Sequence, residues 1–174
     1  LDARMGLENL VQAMAIVGAV CPDVVLIIGG KGQLHGRLRA LIDGLNLKNV
    51  HLLGYIDSEA LPIYYQASDL FVMPTETMEG YGLSTLEALA CGLPVLGTDA
   101  GATPEVLSDL LPGFIARGTG PEALAENILR CLPLLGTIDR RRLRRFAEAR
   151  SWTRVADRVE AVFEQVAKGW GPAA

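Results

Sequence analysis

Two glutamates, Glu79 and Glu87, stand eight positions apart around two glycines in the run Glu79-Gly80-Tyr81-Gly82-Leu83-Ser84-Thr85-Leu86-Glu87. Paired carboxylates can cleave a glycosidic bond, but they then lie roughly 5 to 9.5 Å apart. Eight positions of continuous helix correspond to about 12 Å of rise, which argues against hydrolysis by this pair. The glycines point to another arrangement. A glycine-bearing loop that opens a helix presents backbone N–H groups without intrahelical partners, and these attract phosphate. Gly80 and Gly82 remove side chains where backbone must approach a ligand. With Glu79 in the loop and Glu87 in the second helical turn, the carboxylates flank a phosphate pocket. A nucleoside diphosphate sugar carries hydroxyls on both sides of its pyrophosphate, and a carboxylate accepts hydrogen bonds from hydroxyls. The expected assignment is Glu87 on the ribose, Glu79 on the donor sugar, and Leu83 and Ser84 on the diphosphate, with Tyr81 in the same loop. Taken alone, the Gly-x-Gly spacing also fits an ordinary tight turn ahead of a helix.

Around this run the chain alternates between strand-like apolar runs and helix-length amphipathic stretches, the pattern of a parallel sheet with crossover helices. Leu7 to Val20 has helical spacing, with Leu7, Leu10, Val11 and Met14 on one stripe. Val24 to Ile28 is continuously apolar and stops at Gly29-Gly30, as in a strand buried on both faces. A helix follows around Leu34 to Gly44, then a strand at Val50 to Leu53. Ser58 is positioned to cap a helix reaching about Ala67. Leu70 to Met73 is a strand ending at Pro74, so the glutamate run follows a strand's carboxyl end, where open α/β sheets bind ligands. Gly82 to Cys91 reads as a helix, Pro94 to Gly97 as a strand, and Phe114-Ile115 as a last strand. Helices are expected at Pro121 to Leu135, Ile138 to Ala149 and Arg154 to Lys168. The expected fold class is α/β, a Rossmann-like doubly wound parallel sheet, in a single domain over residues 1–174.

Composition narrows the function. The formal charge of −4 gives no net field to attract nucleic acid or anionic lipid, so a phosphate site must be local. No apolar run reaches the roughly 18 residues needed to span a bilayer. Cys21, Cys91 and Cys131 are odd in number and widely spaced among apolar neighbours, as reduced core thiols would be, and a reducing, cytoplasmic setting is expected. Leu1 follows no signal-peptide pattern, and the first residues read as the tail of a strand and a turn of an excised fragment.

The stretch from Glu79 to Glu105 resembles the Glu-x7-Glu signature of retaining GT-B glycosyltransferases, in particular the large family 4 (glycosyl transferases group 1), which includes many mannosyl- and glucosyltransferases. The match extends through Gly54-Tyr55, Leu61 to Tyr65 before Ala67-Ser68-Asp69, Pro74-Thr75, Gly92-Leu93-Pro94-Val95, and Asp99 through Gly101 to Glu105. The resemblance implies the C-terminal, donor-binding half of a GT-B enzyme. It would transfer a hexose-type sugar from a UDP-, GDP- or ADP-sugar to an acceptor hydroxyl with retention, using no metal and no other cofactor. It also implies that Glu79 contacts the sugar and Glu87 the ribose. A glycan, lipid or small-molecule acceptor would be held by an N-terminal domain outside this chain. Residues 152–170, beginning at Trp152, would form a terminal helix packing toward that domain.

The chain departs from the pattern at its start. Asp2-Ala3-Arg4-Met5-Gly6 has Met5 where the family's pyrophosphate-binding lysine stands. Arg4 either replaces that lysine, since guanidinium binds phosphate well, or is a solvated turn residue. Gly30 and Lys31, in Gly29-Gly30-Lys31-Gly32, lie between a strand and a helix where backbone borders a nucleotide, although Lys31 also fits simple solvation. The spacing is not that of a Walker loop. Tyr55 and Ile56 match the family's base-binding rim, and Tyr55 fits packing equally. His35 and His51 have no companions at metal-ligand spacing. The arginines of 140–145 read as a solvated face, with peripheral contact at the inner face of a membrane as the alternative. Two other activities stay open at this point: half of a sugar-nucleotide epimerase, and a nucleotide-binding regulatory module without chemistry. No nucleic-acid partner is expected.

Overall fold

The computed structural model describes residues 1–169 and is an α/β fold with parallel strands. The strands are β1 (Leu26–Gly29), β2 (Val50–Gly54), β3 (Phe71–Met73), β4 (Val95–Thr98) and β5 (Ile115–Ala116). The helices are α1 (Leu7–Val20), α2 (His35–Gly44), α3 (Leu61–Ala67), α4 (Leu83–Ala90), α5 (Thr103–Leu107), α6 (Pro121–Cys131), α7 (Arg140–Glu148) and α8 (Trp152–Gly169). Among the described residues the strands form two hydrogen-bonded groups, β1–β2 and β3–β4–β5, each parallel throughout.

Each parallel pairing requires a crossover, and the helices supply it. α1 packs most extensively on α6 and also on α2, while α4 packs on α7. The expected stripe of α1 is buried: Leu7, Leu10, Val11 and Met14 join Ala13 and Val17 in the core. β4 is buried at all four positions, as a central strand covered on both faces must be.

β1 departs from the sequence expectation. It begins at Leu26, and its burial alternates, with Ile28 only 5% exposed and Ile27 47% exposed, so one face of the β1–β2 pair is open in this chain. The start of α3 also moves. Ser58 lies in a turn whose Asp57 carbonyl accepts from Ala60 and Leu61, and the helix begins at Leu61 with Pro62 in its first turn. Proline is tolerated there because its missing N–H would have no intrahelical partner. α7 starts at Arg140, where the Asp139 carboxylate accepts from the N–H groups of Arg141 and Arg142. The thiols divide: Cys131 is buried, while Cys21 and Cys91 are half-buried, so only Cys131 is a core thiol.

α8 runs for 18 residues and is exposed along its described length. Trp152, Val155, Val159, Val162, Phe163 and Val166 lie open on it. Trp170, the last residue of the terminal segment expected from the sequence, lies outside the described residues. Among those residues no helix is long and apolar enough to cross a membrane.

Candidate functional site

The loop between β3 and α4 carries the first glutamate, and α4 carries the second. Gly82 is the N-cap of α4 with φ +67° and ψ +60°, a left-handed conformation that glycine adopts without steric cost. Its carbonyl accepts from the N–H groups of Thr85 and Leu86, which closes the first turn. The N–H groups of Leu83 and Ser84, the two residues just before them in the same first turn, have no carbonyl inside the helix to reach. No side chain caps this terminus. It is therefore a set of aligned donors at the positive end of a helix dipole. Tyr81 and Leu83 are exposed beside it, and Ser84 is half-buried.

Glu79 is held from three directions. Thr75, fully buried just past the end of β3, donates its hydroxyl to Glu79 Oε2 at 3.1 Å. Thr98, buried at the end of β4, donates in turn to the Thr75 carbonyl, tying the loop to the neighbouring strand. The Glu79 carbonyl accepts from Ala102 N–H, and Gly101, with φ +57°, packs against the Glu79 backbone where any Cβ would collide with it. The carboxylate's other oxygen faces the start of α4, 3.8 Å from the position a Cβ on Gly82 would occupy. Gly80 is different: a Cβ there would meet open space.

Glu87 lies in the second turn of α4 and is exposed, with Oε2 accepting the Tyr65 hydroxyl at 3.0 Å. Burial pushes the Tyr65 phenol's pKa well above the ordinary tyrosine value, and the adjoining Glu87 carboxylate adds to the rise, so the phenol stays protonated and donating.

The segment before α1 approaches this loop. Arg4 donates from Nη1 to the Met78 carbonyl at 3.1 Å, and its own carbonyl accepts from Glu76 N–H. Arg4 is thus placed one residue from Glu79, with Asp2 3.9 Å from its Nε as a solvent-exposed counter-charge. Met78 is itself unusual, a non-glycine residue at φ +56°. Asn9 completes the support by donating to Glu76 Oε1 and to the Thr119 carbonyl.

Gly30, Lys31, Tyr55 and Ile56 form a second group at the carboxyl ends of β1 and β2. Gly30 N–H donates to the Gly54 carbonyl, and Ile56 packs on Gly29. Lys31 Nζ stands 4.7 Å from the centre of the exposed Tyr55 ring, a cation–π contact that gives both side chains a partner. The first residues of the chain join the two groups: the Leu1 amino group donates to the Lys31 carbonyl, and Gly6 packs on the Pro74 carbonyl. Sequence reasoning missed the roles of Thr75, Thr98, Tyr65 and Asn9. The available signal was Thr75 standing directly past a strand's carboxyl end.

The family model for glycosyl transferases group 1 matches residues 1–150. The chain is 33% identical over 138 residues to a GDP-mannose-dependent monoacylated alpha-(1-6)-phosphatidylinositol monomannoside mannosyltransferase of Corynebacterium glutamicum, a match covering 76% of this chain and 36% of that protein. Among solved structures it is similar to sucrose-phosphate synthase from Thermosynechococcus elongatus, with a TM-score of 0.78 and 27% identity over 97% of this chain and 44% of the other. Anabaena HepE, solved in complex with UDP and glucose, shares the fold at a TM-score of 0.78 and 23% identity, over 97% of this chain and 46% of that one. The chain spans about a third of the length of the first curated relatives it matches, 36% and 35%.

Proposed function

Because this chain belongs to the glycosyl transferases group 1 family and has the α/β fold of a GT-B glycosyltransferase domain, we propose that it is the donor-binding part of an enzyme that transfers a hexose from a nucleoside diphosphate sugar to an acceptor hydroxyl with retention. The observation that carries this reading is the pair Glu79 and Glu87 set on either side of the α4 N-terminus, each anchored through one oxygen by a neighbouring hydroxyl. In this reading the N–H groups of Leu83 and Ser84 take the diphosphate, joined by the Ser84 hydroxyl and by Arg4, which stands in for the lysine displaced by Met5. Glu87 accepts from the ribose, Glu79 from the donor sugar, and the backbone of Gly80, Tyr81 and Gly82 forms the pocket floor. Gly30, Lys31, Tyr55 and Ile56 border the base.

Chemically, the step breaks the bond between the sugar's anomeric carbon and the diphosphate oxygen, and negative charge grows on that oxygen. Aligned helix N–H groups stabilise such charge without reorganising. Attack by the acceptor on the face the diphosphate leaves is the route to retention. The acceptor would be held by a domain outside this chain, toward which α8 presents Trp152, Val155, Val159, Val162 and Val166. The names of the relatives, a GDP-mannose-dependent enzyme and a protein crystallised with UDP and glucose, support a nucleotide-sugar donor and a glycolipid or glycan acceptor. Peripheral contact with the inner face of a membrane, through the arginines of α7, belongs to the same proposal.

A thermal-shift series of the 174-residue chain against UDP-, GDP- and ADP-sugars tests the reading, since a ligand that binds only the folded state raises its stability. A shift with one of these classes, abolished in Glu79→Ala Glu87→Ala, is the expected result. No shift with any of them would overturn it.

A further inference from the structure

Glu87 belongs to an exposed helical surface, where a glutamate with three rotatable bonds samples many orientations. Here its direction is set from another element. Tyr65, 22 residues earlier on α3, reaches it with a 3.0 Å hydrogen bond that consumes Oε2. Tyr65 is in turn fixed by packing, its ring standing edge-on to Phe71 of β3 at 5.6 Å and 77°. An edge-to-face pair of this kind prefers a defined geometry, so the phenolic oxygen is delivered to one place.

We propose that Tyr65 is the positioning residue for Glu87: by holding Oε2 it leaves Oε1 aimed at the nucleoside hydroxyls, and so sets a preference for ribonucleotides over nucleotides lacking those hydroxyls. The inference rests on the assignment of Glu87 to the ribose. Tyr65 touches no ligand in this scheme and acts through the carboxylate alone. Its burial, and after that the negative charge beside it, raise the phenol's pKa, so the donor is present throughout the neutral range.

The test is a titration of the chain with UDP, GDP and ADP, followed by the 2′,3′-dideoxy form of whichever binds most tightly. Tyr65→Phe keeps the ring against Phe71 and deletes only the hydroxyl. It is expected to weaken the ribonucleotide by about three- to tenfold, the effect of one lost net hydrogen bond, while leaving the dideoxy form unchanged and the protein folded with a cooperative melting transition. In a Glu87→Ala background the same substitution should have no further effect. An equal loss for both nucleotides, or a loss that persists without Glu87, would make Tyr65 a packing residue and overturn the proposal. Retention of the full ribonucleotide preference by Glu87→Ala would instead remove the ribose assignment itself, and the role of Tyr65 with it.

Discussion

Thr75 and Glu79 are joined by a hydroxyl-to-carboxylate hydrogen bond of 3.1 Å, and Thr75 is fully buried whereas Glu79 is half-buried. The fully buried partner therefore orients the partly exposed one. Thr75→Val preserves the shape of the buried side chain and removes its hydroxyl. It should cost about 1 kcal/mol of stability and reduce the difference in affinity between a nucleoside diphosphate and its sugar-bearing form. Thr75→Ser should restore that difference. Calorimetric titration with both ligands, beside a melting curve, checks the pair; an unchanged difference in Thr75→Val would detach Thr75 from sugar recognition.

Glu87→Ala should weaken binding of the nucleoside diphosphate itself by roughly ten- to a hundredfold, the cost of about 1.5–3 kcal/mol for a charged hydrogen bond. Glu79→Ala should leave that affinity nearly intact and instead lower the extra affinity of the sugar-bearing form. Titration curves of the two variants that superimpose on each other would refute the division of roles.

The two glycines of the loop are expected to respond differently. A side chain at Gly80 enters open space and asks nothing of the backbone, so Gly80→Ala should fold with an unaltered melting temperature and report only on crowding of the diphosphate. Gly82 has φ +67°, where a β-branched residue is strained, so Gly82→Val should destabilise the start of α4 before any ligand is present. Melting curves separate them. A diphosphate affinity unaffected by Gly80→Ala would mean that the ligand passes clear of that position.

The raised pKa of Tyr65 has a sign that can be measured. The folded state favours the protonated phenol, so its contribution to stability is complete below the unfolded tyrosine pKa of about 10 and is lost as pH rises beyond it. Wild-type stability should therefore fall more steeply above pH 10 than that of Tyr65→Phe. Parallel denaturation profiles for the two proteins across that range would contradict the assigned environment.

Ending the chain at Ser151 removes α8, whose described residues are all exposed. The shortened protein should melt within roughly 2 °C of the parent, because little buried apolar area is lost. It should also bind the same nucleoside diphosphate. A large drop in melting temperature would show that α8 supports the domain rather than reaching beyond it.

What the sequence made legible follows from how local each signal is. Strand β1 ends at paired glycines and α4 opens at Gly82, and such punctuation can be read without a fold. The spacing that puts Glu79 in a loop and Glu87 in the second turn of α4 is equally local. The face exposed by β1 was not legible, because an unbroken apolar run from Val24 to Ile28 does not reveal whether one side or both are covered. Helix α5, five residues from Thr103 to Leu107, is too short to show a period. The hydroxyl partners were hidden for a different reason. Tyr65 meets Glu87 only after the chain has passed through β3 and its crossover, and Thr98 reaches Thr75 only through strand pairing.

The division of the strands into two groups also governs how the molecule should come apart. Among the described residues no ladder links β1–β2 to β3–β4–β5, so no strand-to-strand pairing couples them, and the backbone bonds that cross between them, from Glu76 to the Arg4 carbonyl and from Leu34 to the Leu1 carbonyl, belong to the segment leading into α1. Helix α1 carries that coupling, packing on α2 beside one group and on α6 beside the other with six buried residues, Leu7, Leu10, Val11, Ala13, Met14 and Val17. Native-state hydrogen exchange should resolve two opening events, the β1–β2 unit at lower free energy because one of its faces is uncovered, and the β3–β4–β5 unit nearer the global value. The loop that carries Glu79 springs from the second unit. On the proposed assignment, the diphosphate site outlasts the base-bordering one on partial unfolding, so that a chain loosened at β1 and β2 is expected still to bind diphosphate after it has ceased to distinguish one nucleobase from another.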